Sequence, residues 1–175
     1  MKDGGAIVLI GFMGAGKTTA ARDLTVSREE LLNFIRPRHH GILVTTRRDG
    51  RPQTSPVTMG VDSDGRVVVS SYPERAKSKN AARNAQASVC VLSNEFGGEW
   101  VQLDGRIEVV QQPEAIDALV EYYRSISGEH PDWDEYRQAM ADQGKVLLRL
   151  TIERWSPVSR GGFPARLVPG DPSDE

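Results

Sequence analysis

Two Asp-Gly pairs constrain the fold of this chain more than any other local feature. Asp49-Gly50 separates a β-branched run at 41–48 from a second extended run at 52–61, and Asp64-Gly65 leads into a third run at 66–71. Asp-Gly between such runs is typical of the tight turns that connect antiparallel strands. The order predicts an antiparallel meander. Its second strand should lie at an edge or at a bulge, because it contains two prolines that cannot donate to a strand ladder.

Later segments add further strands and crossover helices. Apolar or alternating runs predict three more strands, at 87–93, 99–110 and 145–155. Apolar residues at helical spacing predict helices at 113–127 and 131–144. A shorter helix should begin at Ser27, which has the capping-box spacing with Glu30. Six strands with crossover helices predict a mainly β (α+β) fold, in the form of a small antiparallel barrel.

The charge balance and the short apolar runs exclude several classes of partner. The chain of 175 residues has 22 Lys and Arg against 24 Asp and Glu, so its net charge of -2 gives no overall attraction to nucleic acid or to an anionic membrane. No apolar run approaches the ~20 residues of a membrane span. The single Cys90 excludes an intramolecular disulfide. We expect a cytoplasmic protein that acts on a small molecule, with no nucleic-acid or membrane partner.

The N-terminal segment contains a well-known phosphate-binding pattern. Residues 11–18, GFMGAGKT, match G-x-x-x-x-G-K-[ST], in which Lys17 and Thr18 would serve a nucleotide phosphate and its magnesium ion. The segment resembles the start of a shikimate kinase over residues 1–24 only. A kinase also needs a second strand that ends in an acid, whereas Val61-Asp62 reads as the start of a turn. We interpret 1–24 as an extension whose use is undecided between a nucleotide-binding loop, a leader, a fusion remnant and a misplaced start site.

A different stretch, residues 67–80, is a candidate phosphate clamp. Its sequence, VVVSSYPERAKSKN, combines an apolar strand, a proline break and cations at the start of a helix. The first turn of a helix offers unpaired N–H groups to an anion, and Arg75 and Lys77 would add charge-assisted hydrogen bonds. The spacing of Arg75, Lys79 and Arg83 also fits a solvated basic face. Both interpretations stay open on spacing alone.

The sequence contains no evident set of side chains for catalysis without a cofactor. There is no Ser-His-Asp set and no close carboxylate pair, and the adjacent His39 and His40 lack a third metal ligand nearby. Cys90 lies in mid-strand, where a small buried hydrophobe is expected. We therefore predict no metal site, and no catalytic residue is assigned. This pattern fits a protein whose coenzyme carries the chemistry.

Three segments carry a resemblance to a known family. They are ILVTTRRDGRPQTSPV, VVVSSYPERAKSKNAARNAQASV and SGEHPDWDEYRQAM. They resemble the split β-barrel flavin-binding family that includes the pyridoxamine 5′-phosphate oxidases, most closely its branch that uses the deazaflavin coenzyme F420. The resemblance covers residues 26–164 and implies a six-stranded antiparallel split β-barrel with crossover helices, paired as a homodimer. The domain is expected at 25–165, followed by a disordered acidic tail at 166–175.

The resemblance also implies a coenzyme site with three parts. The phosphate would be held by cations and by hydrogen-bonding side chains, namely Arg75, Lys77, Ser70 and Asn80. The isoalloxazine-like ring would be lined by residues of the second strand, namely Gln53, Ser55 and Val57. Trp100 would approach the same site from the partner subunit.

The resemblance implies an F420-dependent oxidoreductase that transfers hydride between the coenzyme and an unsaturated or conjugated small molecule. The alternatives are an FMN-binding enzyme like the pyridoxamine 5′-phosphate oxidases and a coenzyme carrier without turnover, with a P-loop kinase less favoured. The segment 155–163 does not resemble the substrate-binding end of the true pyridoxamine phosphate oxidases. Oxidation of that vitamer is therefore not expected.

Overall fold

A computed structural model describes residues 26–95 and 97–160. The P-loop-like segment, the acidic tail and the last residues of the expected domain lie outside the described residues. The strands are β1 (His40–Thr46), β2 (Pro52–Thr58), β3 (Gly60–Val61), β4 (Val67–Ser71), β5 (Gln86–Leu92), β6 (Glu99–Val110), β7 (Val146–Trp155) and β8 (Ser159–Arg160). The helices are α1 (Arg28–Ile35), α2 (Ala76–Arg83), α3 (Ala115–Ser127) and α4 (Trp133–Asp142).

Every strand pair is antiparallel, and the sheet curls until its two ends meet. The strand order is β2-β1-β5-β6-β7-β4-β3, with β8 beside β6. Strands β2 and β3 lie at opposite ends of this order, yet only Met59 separates them in the chain. The chain itself therefore joins the two ends, while β2 and β4 form no ladder and leave the barrel split between them. The prediction of an antiparallel split barrel is confirmed.

The predicted second strand, 52–61, is interrupted in the structure. Its first part pairs with β1 and its last two residues pair with β4. Met59, between these parts, is fully buried, and its N–H donates to the carbonyl of His39 at 2.9 Å. A strand that changes partner at a barrel corner cannot continue one ladder, so one predicted strand becomes two. The short β8 was not predicted, and the sheet has eight strands within the described residues instead of the predicted six.

Local sequence signals place several boundaries correctly. The N–H of Ser27 donates to the carboxylate of Glu30 at 2.8 Å, and the N–H of Glu30 donates to the Ser27 hydroxyl at 3.2 Å, which completes the capping box of α1. Asp62 accepts the N–H groups of Asp64 and Arg66 and forms an ion pair with the Arg66 guanidinium at 2.7 Å. Asp62 therefore organises a turn, as predicted.

The buried residues form two clusters on opposite sides of one sheet. Inside the barrel, alternate residues of β1, β5 and β6 pack together, including Leu43, Val89 and Leu103. Outside it, α3 and α4 pack on Val68 of β4 and Leu147 of β7. This second cluster holds both helices against β4, which borders the split, and against its neighbour β7. None of the described helices is long and apolar enough to cross a membrane.

Candidate functional site

The split between β2 and β4 opens into a cavity of about 370 Å³. Residues 56–58 of β2 form one side, and Val69 and Ser70 of β4 form another. Lys77, in the first turn of α2, also lines the cavity. The remaining wall comes from α3, α4 and the residue before β7, namely Tyr122, Tyr123, Tyr136, Met140 and Lys145. The cavity therefore joins two residues of the predicted phosphate clamp, Ser70 and Lys77, to the strand predicted to face the ring, whereas Arg75 and Asn80 do not line it.

Helix α2 begins in a way that favours an anion. Its N-cap residue, Arg75, has extended backbone angles and no capping side-chain hydrogen bond, and no acid lies in the first turn. In contrast, α1 and α4 begin with side-chain caps and acidic residues. The dipole makes the N-terminus of a helix partly positive, so cations there are repelled. A bound anion would offset this repulsion. Ser78 fixes this helix start, because its hydroxyl donates to the Ser71 hydroxyl at 2.9 Å.

Lys77 and Arg75 lie close enough together to affect each other. Burial lowers the pKa of the Lys77 ammonium, and the charge of Arg75 lowers it further. Arg75 is exposed, with its guanidinium 5.9 Å from the centre of the Tyr72 ring. Across the described residues 26–95 and 97–160, neither cation has a carboxylate within ion-pair distance. A bound anion would relieve the repulsion and would favour the charged form of Lys77.

Asn80 lies away from the cavity, although the sequence suggested a contact with the coenzyme. Its side chain is buried, its amide nitrogen donates to the Thr45 hydroxyl at 3.1 Å, and its oxygen accepts from Arg83 at 3.0 Å. Arg83 also donates to the carbonyl of Thr46. Asn80 and Arg83 therefore connect α2 to β1. The coenzyme contact of Asn80 stays a prediction.

Gln53, Ser55 and Val57 lie in a row on one face of β2, as the period of a strand requires. The Gln53 amide donates to the Ser55 hydroxyl at 2.7 Å and its oxygen accepts from the Thr45 hydroxyl at 3.0 Å. Val57 lines the cavity, whereas Gln53 and Ser55 continue the row beyond it. Their contact with the ring stays a prediction.

Trp100 lies elsewhere in the same protomer. It pairs with Leu92 across β5 and β6 and lines a separate pocket of about 570 Å³ together with Cys90. Burial raises the pKa of the Cys90 thiol, so it carries less thiolate than an ordinary cysteine. Trp100 does not line the split cavity, and its approach to the site from a partner subunit stays a prediction.

Three tyrosines of α3 and α4 form an aromatic wall of the cavity. Tyr136 and Tyr123 do pack in the outer cluster, but both also face the cavity. Tyr122 donates its hydroxyl proton to the carbonyl of Thr58 at 3.0 Å and lines the cavity with Ser70. It therefore anchors α3 to β2 beside the split. Helical spacing shows that such residues share a face, but not that the face borders a gap between strands.

The side chains present fit a flavin-type coenzyme. Lys77, Ser70 and the uncapped start of α2 supply positive charge and donors for a phosphate at one end of the cavity. Val57 and the tyrosines supply the apolar and aromatic surface that a planar ring needs. No group of three or more His, Cys, Asp and Glu within the described part of the chain is arranged to hold a metal ion.

Comparison with known proteins identifies the family of this chain. Residues 27–159 match the family described as pyridoxamine 5′-phosphate oxidase. The chain is 26% identical over 127 residues to the F420H(2)-dependent biliverdin reductase of Mycobacterium tuberculosis, a match that spans 72% of this chain and 84% of that protein.

Solved structures share the fold. The crystal structure of a conserved hypothetical protein from Mycobacterium tuberculosis matches with a TM-score of 0.65 at 23% identity, over 79% of this chain and 88% of that one. A structure named F420 reductase matches with a TM-score of 0.54 at 18% identity, over 71% and 94% of the respective chains. The chain belongs to the pyridoxamine 5′-phosphate oxidase family and is an oxidoreductase of the flavin- or deazaflavin-binding kind.

Proposed function

We propose that the protein is an F420-dependent oxidoreductase that transfers hydride between the coenzyme and an unsaturated or conjugated small molecule. The observation that carries this proposal is the cavity at the barrel split, where the cationic start of α2 meets β2. The similarity to an F420H(2)-dependent biliverdin reductase supports deazaflavin as the coenzyme. When bound, the coenzyme would supply the hydride chemistry.

The protein's own side chains would bind and orient the coenzyme. Lys77 and Arg75 would neutralise the phosphate and Ser70 would add a hydrogen bond. Gln53, Ser55 and Val57 would lie along the ring, and Trp100 would complete the site from the partner subunit. The tyrosine wall would exclude water from the reacting face.

The two most buried tyrosines of the wall are unsuited to act as bases near neutral pH. Burial raises the pKa of Tyr122, and burial together with Tyr122 and Tyr123 raises the pKa of Tyr136 to about 12. Both hydroxyls therefore stay protonated, and both already donate to backbone carbonyls. Their role in the proposed function is to shape the cavity and to keep its polar groups paired.

A homodimer is part of this proposal. The outer face of β1, β2 and β5 carries neighbouring apolar side chains, among them Ile42, Pro56 and Leu92. Both faces of β1 are thus apolar, which is unusual for a strand with one solvated side. In this proposal a second copy covers this surface, and Trp100 contributes to the coenzyme site of its partner.

Coenzyme titration tests the proposal directly. We expect purified protein to bind F420, followed by fluorescence, and to oxidise F420H(2) when a conjugated acceptor is added. The double variant Arg75→Ala/Lys77→Ala should bind at least about tenfold more weakly, because two charge-assisted hydrogen bonds are removed. Binding of neither F420 nor FMN, or unchanged binding by the double variant, would overturn the proposal. Binding without any turnover would favour a carrier.

FMN is the second candidate coenzyme. The specific observation in its favour is that Arg75 and Lys77 have no carboxylate within ion-pair distance in the described part of the chain, since a phosphate monoester carries about -1.5 to -2 charge near pH 7. A protein that purifies yellow, with a flavin absorption spectrum and tighter binding of FMN than of F420, would establish this alternative.

A further inference from the structure

Lys145 lines the cavity and belongs to none of the motifs found in the sequence. It lies between α4 and β7, directly after Gly144, whose φ is +59°. The backbone at this position is held at both ends: the N–H of Lys145 donates to the carbonyl of Met140 at 3.2 Å, and its own carbonyl accepts from the Gln112 amide at 3.1 Å. The Cα of Lys145 is therefore fixed beside the cavity instead of lying on a free loop.

The side chain of Lys145 is directed to the end of β4. Its Nζ lies 3.5 Å from the Ser70 hydroxyl oxygen and 4.6 Å from the centre of the Tyr72 ring. The guanidinium of Arg75 lies 5.9 Å from the centre of the same ring. Lys145 and Arg75 therefore both border Tyr72, and Lys145 contacts the serine that lines the cavity with Lys77.

Three positive charges, those of Arg75, Lys77 and Lys145, therefore lie around the end of β4. Arg75 and Lys77 come from α2 and Lys145 comes from the start of β7, so elements far apart in the chain meet here. Among residues 26–95 and 97–160, Lys145 has no carboxylate within ion-pair distance. Lys77 and Lys145 are half-buried. Half-buried cations without a counter-ion are unfavourable, and a phosphate would neutralise them.

We propose that Lys145 is a third cation of the coenzyme phosphate site, acting with Arg75 and Lys77. The proposal rests on the coenzyme site proposed above and adds a residue that its sequence motif does not contain. Ser70 is the link, because its hydroxyl contacts Lys145 and it lines the cavity together with Lys77 from the first turn of α2. The ligand group recognised is the ribityl phosphate of a flavin-type coenzyme, and not its ring.

Paired ligands with and without the phosphate test this inference. The dissociation constants of FMN and riboflavin, and of F420 and its phosphate-free deazaflavin alcohol, are measured by fluorescence for wild type and for Lys145→Gln. We expect Lys145→Gln to weaken the phosphate-bearing ligands by about tenfold and to leave the phosphate-free ligands unchanged. Lys145→Arg should restore most of the affinity. Phosphorus NMR of bound FMN should show a changed shift in Lys145→Gln.

Two reference variants make the result specific. Lys79→Gln removes the same charge from the exposed side of α2 and should change affinity by less than about twofold. Lys77→Gln should weaken phosphate-bearing ligands as Lys145→Gln does. Unchanged coenzyme binding by Lys145→Gln, while Lys77→Gln binds more weakly, would overturn the inference and leave the proposed function intact.

Other outcomes are equally decisive. An equal loss of riboflavin and FMN affinity would mean that Lys145 supports the cavity and not the phosphate, which overturns the inference. A raised KM for an anionic substrate with unchanged coenzyme affinity would overturn it as well and would assign Lys145 to the substrate. If wild type binds none of the four ligands, the proposed function and this inference fail together.

Discussion

The amide of Asn80 donates a 3.1 Å hydrogen bond to the hydroxyl of Thr45, which joins the cationic helix to the sheet. The Thr45 hydroxyl in turn donates to Gln53 at 3.0 Å, and Gln53 donates to Ser55 at 2.7 Å. A continuous hydrogen-bonded chain therefore runs from α2, through β1, to β2. It connects the helix that carries the phosphate clamp to the strand predicted to face the ring.

Asn80→Ala should destabilise the fold by about 1 to 3 kcal/mol, because it removes the hydrogen bonds of Asn80 to the buried Thr45 hydroxyl and to Arg83. Urea unfolding followed by circular dichroism measures this change. Asn33→Ala, on the exposed side of α1, is the matched control and should change the free energy of unfolding by less than about 0.5 kcal/mol. An Asn80→Ala variant as stable as this control would contradict a structural role for the chain of hydrogen bonds.

Coenzyme affinity should fall at alkaline pH because of Lys77. Its pKa is lowered by burial and then by Arg75, so it loses its proton at a lower pH than an ordinary lysine, whose pKa is about 10.4. Deprotonation of Lys77 removes its attraction to the phosphate. The affinity for the coenzyme therefore decreases as the pH rises toward the pKa of an ordinary lysine. Lys77→Arg stays charged throughout and should bind with little pH dependence. Equal pH profiles of wild type and Lys77→Arg would show that another group is responsible.

Signals between near neighbours in sequence predicted most of the barrel. The Asp49-Gly50 turn, the Ser27 capping box and the strand alternation each depend on residues a few positions apart, and the structure confirms them. The break at Met59 was missed because it depends on two different partner strands. The alternation of apolar residues describes one strand by itself. It carries no information about where that strand changes from one neighbouring strand to another.

The sequence predicted those residues of the candidate site that lie within a single segment of the chain. Lys77 and Ser70 belong to a single stretch, and the structure brings both to the cavity. Tyr122 and Lys145 reach the same cavity from α3 and from the start of β7, so only the packing of α3 and α4 on the sheet brings them there. Asn80 was assigned to the coenzyme by resemblance, and its hydrogen bonds to Thr45 and Arg83 depend on the tertiary structure.

Gly60 allows α3 to approach the barrel closely, and a paired substitution tests this contact. A Cβ at Gly60 would overlap the hydroxyl of Ser125, while its other neighbours lie at 3.4 Å. Gly60→Ala should therefore destabilise the protein by about 1 to 3 kcal/mol. Ser125→Ala removes the overlapping oxygen, so the double variant should be more stable than Gly60→Ala by thermal denaturation. Purely additive effects of the two substitutions would contradict this steric explanation.

Tyr136→Phe should reduce the loss of stability at high pH. The pKa of Tyr136 is raised to about 12 from 10.0, mainly by burial. Between these values the unfolded chain has released the proton and the folded protein has kept it, so unfolding is increasingly favoured as pH rises. The variant also loses the hydrogen bond to the Leu119 carbonyl. It should be less stable than wild type near neutral pH, by about 1 kcal/mol, and the difference should shrink or reverse near pH 11. A pH-independent difference in urea midpoints would refute this.

The outer face of the barrel should decide whether two copies pair. Ile42 lies opposite Pro56 on one side and Cys90 on the other, so a charge at Ile42 would lie in the centre of the apolar surface. Ile42→Asp should convert the proposed dimer to a monomer in sedimentation velocity, because an unpaired charge in an interface is strongly unfavourable. Since Trp100 is proposed to come from the partner, the monomer should also bind coenzyme more weakly. Thr151→Asp, at an exposed position of β7, is the control and should sediment with the same molecular mass as wild type. A wild-type chain that sediments as a monomer while binding coenzyme would contradict the shared site, and Trp100→Ala would then leave affinity unchanged.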